Sequence, residues 1–410
     1  MKILLIASTF REKEDKILDF LLVYASNLQK LGNKVTLLAS HGKGLKKIDE
    51  FNGVKLKRFS YFKPESWQSI TYGKGMPENI KKSLKAKLQL PFYYFSGIKA
   101  VKKELKEFQP DVVQALWVLP NGLIARKAIE AVGKQKDFKK PKLIVTAFGA
   151  DVYLAKKMKL KKLLNSSLKT ATAITAISTA TKQALVETGV KKEIKVMPIG
   201  GVDLEKFNPK VKTEKIIEKH KLKGKNVLLI VGRIVERKGH AYLIKAMPEI
   251  LKKNPNTILL ITSYGPEKEK LEKLSKELNL EKNVLFVGTP SFEELPAYYN
   301  ACTVFCLPAI IDSRGDTEGG QSMVIAEAMA CKKPVVGGNV GGIPDLVIHN
   351  KTGLLVEQKD VQALTQAINK LFENKKLREK LATEGYKKIL KEFSWEAIAK
   401  NHVKLFLQKQ

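Results

Sequence analysis

The 410-residue chain is 44% hydrophobic and 28% charged, and its 74 Lys+Arg against 41 Asp+Glu give a formal net charge of +33. That is enough apolar material for a full core and more length than one domain needs, so two domains of about 200 residues are expected. The charge alone suits nucleic acid, an anionic membrane, an anionic substrate or the Lys/Glu-rich surface of a heat-adapted protein, and it decides nothing about chemistry.

In chain order, short β-rich runs alternate with helical patterns from end to end. The first, KILLIAS, lies in MKILLIASTF, whose apolar run before Arg11 is too short for a signal peptide and reads as a buried strand. A helical pattern, LDFLLVYASNLQKLG, follows and is closed by Gly32. Further strands are expected at KVTLLAS, VKLKRFS, DVVQALW, KLIVTAF, AITAIS and IKVMPIG. After the polar stretch NPKVKTEKIIEKHKLKGK (208–225) the same grammar restarts with NVLLIVG, TILLITS, VLFVG, VFCLPA, PVVGG and TGLLV. Alternating β and α with apolar strands implies parallel sheets covered by helices, and the restart implies two of them. The fold class is therefore α/β, with two doubly wound, Rossmann-like domains. Such domains present ligands to the carboxyl ends of their strands, so the expected site is a cleft between them.

The three cysteines, Cys302, Cys306 and Cys331, form no CxxC pair and have no His/Cys cluster nearby. They read as small buried apolar residues in a reducing, cytoplasmic setting, without a zinc site. The longest apolar-aromatic run, LQLPFYYFSGI (88–98), is far below a membrane span and contains Pro91 and Gly97. A soluble protein, or one that lies on a membrane, is expected.

Glycine-rich stretches follow strands where a ligand would sit: Gly232 after NVLLIV, Gly149 after KLIVTAF, and Gly337-Gly338 after PVV. VGRIVERKGH (231–240) puts Arg233 and Lys238 just past a strand. An Arg fork and a mobile Lys charge together suit a diphosphate, although two more surface cations are the competing reading. In DTEGGQSMVIAEAMA (316–330), Gly320, Gln321 and Ser322 precede a helix whose first N–H groups and dipole would face a phosphate. Glu327, in the second turn, could accept from a vicinal diol such as ribose, and Glu318 from sugar hydroxyls. A nucleotide-sugar uses all three features.

GRIVERKG, EGGQSMVIAEAMA and NVGGIPDLV (339–347) together resemble the donor domain of the retaining glycosyltransferases of family four, whose two-Rossmann fold is called GT-B. PIGGVDLEKFNP (198–209) resembles that family's P-x-G-V-D-x-x-x-F, and LGNKVTLLAS and LPNGLIA extend the likeness into the first half. FSWEAIAKNHVKLFL resembles the helix that such proteins send back to domain one. The resemblance implies an N-terminal acceptor-binding domain over 1–205, completed by the C-terminal helix 391–410, and a donor-binding domain over 206–390. Arg233 and Lys238 would hold the diphosphate, Glu318 the donor sugar and Glu327 the ribose. Gly232, Gly319, Gly320, Gln321 and Ser322 would surround the donor, and Phe148 and Asp151 would join the catalytic set. Neither cofactor nor bound metal is implied, since cations and a helix end neutralise the leaving diphosphate.

Two features depart from the family pattern. Seven residues usually separate the two glutamates, whereas eight separate Glu318 from Glu327, and Gly319-Gly320 would absorb the extra one. Where the family commonly reads H-A-H and H-G-x-D, this chain reads Gln114-Ala115-Leu116 and Phe148-Gly149-Ala150-Asp151, and its only histidine before residue 220 is His41. Phe148 can stack on a sugar but cannot move a proton. Tyr264 reads equally as a base-stacking or a structural residue.

Residues 78–108 mix lysines with Phe92, Tyr93, Tyr94 and Phe95. They read either as a surface for anionic lipid or as an ordinary packed helix pair with solvated lysines. Nothing resembles a nucleic-acid-binding motif. The sequence thus points to transfer of a hexose, with retention, from a nucleoside diphosphate sugar to a lipid-linked or polysaccharide acceptor, in the cytoplasm or on the inner face of the membrane. A degenerate relative that binds a nucleotide-sugar or a partner without transfer is the alternative.

Overall fold

A computed structural model describes residues 1–10, 19–72, 76–136 and 138–408. The chain divides into two compact units, Met1–Ile199 with Ile398–Gln410, and Gly200–Ala397.

The first unit holds eight strands: β1 (Lys2–Ile6), β2 (Lys34–Ser40), β3 (Ile48–Phe51), β4 (Val54–Phe59), β5 (Val112–Leu116), β6 (Lys142–Ala147), β7 (Ala173–Ala176) and β8 (Ile194–Val196). Their order is β3-β4-β2-β1-β5-β6-β7-β8. All neighbours are parallel except β3 and β4, which form an antiparallel hairpin. The central strands β1 and β5 are buried almost throughout, as strands covered on both faces must be. β3 is the strand the sequence reading missed. Its partner turns back through Asn52-Gly53, at φ 47° and 78°, the left-handed pair that a two-residue hairpin turn requires.

Helix Phe20–Lys30 starts where Asp19 accepts from Leu21 N at 2.8 Å and ends before Gly32 at φ 78°. The helix Trp395–Leu407 contributes its residues from Ile398 onward to this unit. His402, fully buried, fixes it: Nε2 donates to Pro198 O at 3.1 Å, so Nδ1 is left to accept from Gln114 Nε2 at 3.5 Å. Gln114 also accepts from Tyr24 OH at 2.9 Å and donates to Thr146 Oγ1 at 3.0 Å. A buried polar network like this specifies one docking position for the helix.

The second unit holds β9 (Asn226–Ile230), β10 (Thr257–Thr262), β11 (Val284–Gly288), β12 (Val304–Leu307), β13 (Val335–Gly338) and β14 (Leu354–Val356). All are parallel, in the order β11-β10-β9-β12-β13-β14. Counted within the unit, that is 3-2-1-4-5-6, the order of a doubly wound dinucleotide fold. The three cysteines are buried in this unit's core as free thiols, and burial pushes Cys302 and Cys331 up to about 12, where a thiol is inert.

The units part at 199/200 and 397/398 rather than at 205/206 and 390/391. The reason is local. Val202 N donates to Phe393 O at 2.8 Å, Val202 bridges Ser394, and Gly201 lies so close to Trp395 that a Cβ there would be 2.7 Å from Cδ2. Residues 200–209 and 389–397 therefore pack together in the second unit.

Candidate active site

In a doubly wound sheet the strand order reverses between the first strand and the fourth, and the loops leaving their carboxyl ends diverge to open a crevice. In the second unit those strands are β9 and β12. The loop after β9 carries Gly232, Arg233 and Lys238, and the loop after β12 runs to Glu318 and its glycines.

Gly232, at φ 133°, lies under the Lys238 side chain, and a Cβ there would approach Lys238 Cε to 3.3 Å. Lys238 can therefore fold back over bare backbone and is buried. It ends a single 3₁₀ turn, Glu236–Lys238, closed by Gly239 at φ 78°. Only glycine fits at 239, because a Cβ would fall 1.8 Å from Pro308 O. Arg233 is exposed, and its side chain makes no hydrogen bond or ion pair among the described residues. His240 follows with both ring nitrogens buried and without hydrogen-bond partners. Burial, with Lys238 adding to it, lowers its pKa to about 3, so the ring is neutral.

The loop after β12 is tied to that turn at several points. Ile310 N donates to Arg237 O at 2.9 Å, and Ser313 Oγ donates to Glu236 at 2.7 Å. Asp312 holds the loop together by accepting from the backbone N–H of Arg314 and Asp316, each at 2.9 Å. The loop delivers Glu318, whose Oε2 accepts from Lys238 Nζ at 2.8 Å and whose Oε1 accepts from Arg237 Nε at 3.1 Å. Gly319 N donates to Thr317 O at 2.9 Å, closing a three-residue turn on Glu318. Glu318 O accepts from Gly342 N at 2.9 Å, and a Cβ at Gly341 would fall 2.1 Å from that same oxygen. The glycines of NVGGIPDLV thus give the Glu318 backbone its seat.

Past Glu318 the helix Met323–Ala330 begins with Ser322 as its N-cap. An N-cap serine normally accepts from its own helix, but Ser322 Oγ is buried and makes no hydrogen bond, and neither does Thr317 Oγ1. Among the described residues, the backbone N–H groups of Gly320, Gln321, Ser322, Met323 and Val324 also find no acceptor. Adjacent orphan donors at a helix start, with buried hydroxyls beside them, form an anion cradle. One turn on, Glu327 is half-buried and accepts from the buried Tyr299 OH at 2.7 Å. Burial raises its carboxyl to about 7, against the smaller downward pull of Tyr299, Lys238 and Lys206. Tyr264 is exposed on the loop after β10, where Ile234 N donates to its carbonyl at 2.8 Å.

In the first unit, Phe148 is half-buried and stacks on Trp117 with centroids 4.3 Å apart and planes at 19°. Phe20 flanks it at 6.2 Å. Trp117 has φ 71°, which a bulky residue adopts only when its surroundings impose it. Asp151, expected in the catalytic set, has both oxygens engaged by backbone: Oδ2 accepts from Val118 N at 2.6 Å and Oδ1 from Phe148 N at 3.1 Å. Burial nonetheless raises it to about 6. Its carboxylate thereby ties the loop after β5 to the loop after β6, next to the Trp117–Phe148 stack. Gln114 is wholly buried in the His402 network, bonded to Tyr24, Thr146 and His402. His41 is a loop staple, donating to Leu45 O at 2.8 Å and accepting from Gln68 Nε2 at 3.0 Å.

Sequence reasoning overlooked Arg237, Tyr299 and Trp117. Arg237 stood beside Lys238 in a chain full of cations, and nothing local distinguished it. Tyr299 reaches Glu327 from a separate helix, Leu295–Ala301, which only the fold brings near. Among the described residues, no group of three or more His, Cys, Asp or Glu could hold a metal ion.

Comparison with known proteins places these features in a family. The model described as Glycosyltransferase Family 4 matches residues 20–206, and the model described as Glycosyl transferases group 1 matches residues 212–388. A GDP-mannose-dependent alpha-(1-6)-phosphatidylinositol monomannoside mannosyltransferase of Mycolicibacterium smegmatis is 33% identical over 196 residues, which are 48% of this chain and 51% of that protein. The chain spans about half the length of the first such curated relatives it matches. Among solved structures, a sucrose-phosphate synthase from Thermosynechococcus elongatus superposes with a TM-score of 0.71 at 22% identity, covering 99% of this chain and 98% of that one. HepE from Anabaena, solved in complex with UDP, gives 0.72 at 18% identity over 99% of both chains. Each half of the chain thus matches its own family model and the fold is shared along its length: the chain belongs to the glycosyltransferases of family four, group 1, and has the GT-B fold.

Proposed function

We propose that this protein transfers a hexose, with retention, from a nucleoside diphosphate sugar to a lipid-linked or polysaccharide acceptor. The observation that carries this is the cradle in the second unit. A run of acceptor-less N–H groups at a helix start lies in the same loop as Glu318, which itself touches the buried Lys238. The diphosphate accepts from Gly320–Val324 N–H and Ser322 Oγ, while Lys238 and the exposed Arg233 neutralise its charge. Glu327 accepts from the ribose diol and Glu318 from hydroxyls of the hexose. Fixed cations and a helix end stabilise the departing diphosphate, so transfer needs no metal ion for that purpose. The loop after β6 offers Phe148 in place of an imidazole, so the departing phosphate itself takes the acceptor's proton in a front-face displacement. The Trp117–Phe148 stack suits the apolar face of an acceptor ring.

The mycobacterial relative's name supports a mannose donor and a lipid-linked acceptor, and the UDP bound to HepE supports a nucleoside diphosphate of either base. A lipid acceptor also fits one surface of the first unit. Trp67, Leu84, Leu88, Phe92 and Phe95 are exposed beside Lys81, Lys82, Lys85 and Lys87, and Lys85 Nζ lies 4.7 Å above the Trp67 ring. Tyr93, which the lipid-surface reading of 78–108 included and the packed-helix reading did not need, is buried against Tyr61 and Phe59. Among the described residues, no helix is long and apolar enough to cross a membrane. This reading therefore has the protein rest peripherally on anionic lipid at the inner face of the membrane.

Turnover assayed with UDP-, GDP- and ADP-sugars, with lipid-linked and oligosaccharide acceptors supplied, tests the proposal. Transfer from at least one donor is expected. Donor binding without transfer or hydrolysis in any combination would favour the degenerate alternative, for which the absence of an imidazole beside Asp151 is the motive.

A further inference from the structure

The cradle contains one contact that its proposed use forbids. Lys238 Nζ, the cation nearest to the role of diphosphate ligand, is already spent on Glu318 at 2.8 Å, and Glu318 is the acid meant for the sugar. Both side chains are largely buried, so neither charge can simply turn to water. Glu318 has a second partner, Arg237 Nε at 3.1 Å. The two cations differ in freedom. The Arg237 backbone is anchored, since its carbonyl accepts from Ile310 N and Ser313 Oγ donates to the neighbouring Glu236. Lys238 has a flexible stem lying over Gly232, where the missing Cβ leaves it room to swing.

We infer that Lys238 exchanges partners during donor binding, leaving Glu318 for the diphosphate, and that Arg237 is the positioning residue that makes the exchange possible. The inference rests on the reading that Lys238 binds the diphosphate. Without Arg237, an arriving diphosphate would have to strip Glu318 of its only cation and leave a buried carboxylate uncompensated. With Arg237, Glu318 stays neutralised and stays aimed, because its backbone is seated on Gly341-Gly342 and its Oε1 accepts from the Arg237 guanidinium. Oε2 is then released to accept from the hexose as the phosphate is captured. Diphosphate capture and presentation of the sugar-binding acid become one event, which discourages sugar binding without its nucleotide.

The exchange requires opposite signs from two substitutions in one ion pair. Glu318→Gln removes the competitor for Lys238, so UDP and GDP should each bind more tightly, by roughly 3- to 10-fold on the scale of a partly screened ion pair. Arg237→Gln should weaken both by a similar factor, and Arg237→Lys should recover part of the loss. In a double-mutant cycle the Arg237→Gln effect should largely vanish in the Glu318→Gln background, because Arg237 acts through Glu318. An Arg237 that merely adds positive charge near the phosphate would weaken binding equally in both backgrounds. Titration calorimetry of the full chain with UDP and GDP supplies every number, and thermal melts show that each variant is folded. Lys238→Ala separates the two layers. If it leaves both affinities unchanged, the diphosphate reading itself falls. If it weakens them while Glu318→Gln weakens or leaves affinity unchanged, the diphosphate reading stands and the exchange is overturned.

Discussion

Glu327 offers the sharpest test of the ribose assignment, because its ionisation is displaced into the range where binding is easily measured. Burial lifts it from an ordinary 4.5 to about 7. Ribose hydroxyls donate, so the ionised carboxylate is the binding form. If that form alone binds, affinity should fall about tenfold as the pH drops from about 8 to 6, following the ionised fraction. A nucleotide-sugar such as UDP-glucose or GDP-mannose is the right probe, since its diphosphate has no terminal ionisation near neutrality. Glu327→Gln should flatten this profile and weaken binding at the alkaline end by about 1.5–3 kcal/mol, the worth of hydrogen bonds to a charged group. Stability should move the other way. A carboxyl whose folded pKa lies above its unfolded value leaves the fold most stable below the unfolded pKa, and that advantage is lost as pH rises through the folded pKa. At about 1.4 kcal/mol per pH unit, discounted for solvent screening at a half-buried group, the charged carboxyl costs the fold about 1–2 kcal/mol at pH 8. Glu327→Gln, which can still accept from Tyr299, should therefore melt higher than the parent at pH 8 and no higher at pH 5. Calorimetry across pH with parallel melts reads both effects. A pH slope that survives in Glu327→Gln would refute the assignment of the slope, and with it the ribose role, to this carboxylate.

Arg233→Ala and Lys238→Ala should each weaken nucleoside diphosphate binding by about 1.5–3 kcal/mol, and unchanged affinity for UDP, GDP and ADP in both would remove the diphosphate assignment. Gly341→Ala must place a Cβ at φ 60° and 2.1 Å from Glu318 O, so a loss of about 2–4 kcal/mol in denaturant unfolding is expected, together with impaired sugar turnover. Phe148→His gives up part of a stack on Trp117 worth about 0.5–1.5 kcal/mol, so acceptor KM should rise and turnover fall while donor affinity is kept. A rise in turnover would mean that an imidazole can do at 148 what the aromatic stack does not.

The alternation of apolar runs with helical periods was enough to place thirteen of the strands and the two-sheet architecture, because a strand covered on both faces has to be continuously apolar. The fourteenth, IDEF, is short, half-exposed and charged at an edge, so hydrophobicity could not reveal it. Its turn, Asn52-Gly53, was the legible signal and was passed over. The donor residues were legible for a related reason: glycines before a helix, a cation past a strand and an acid at helical spacing are local patterns, held within a few residues by backbone geometry. Tertiary structure alone decided what those residues touch. It spent Glu318 on Lys238 and Arg237, eighty residues away in the chain, and gave Glu327 a tyrosine from another helix. It buried Gln114 by docking against it a histidine 288 residues downstream. It also engaged both Asp151 oxygens with backbone amides of two different loops. A sequence specifies which charges and hydrogen-bonding groups exist. Which of them neutralise one another depends on distances of a few ångströms between segments that only the packed sheets bring together.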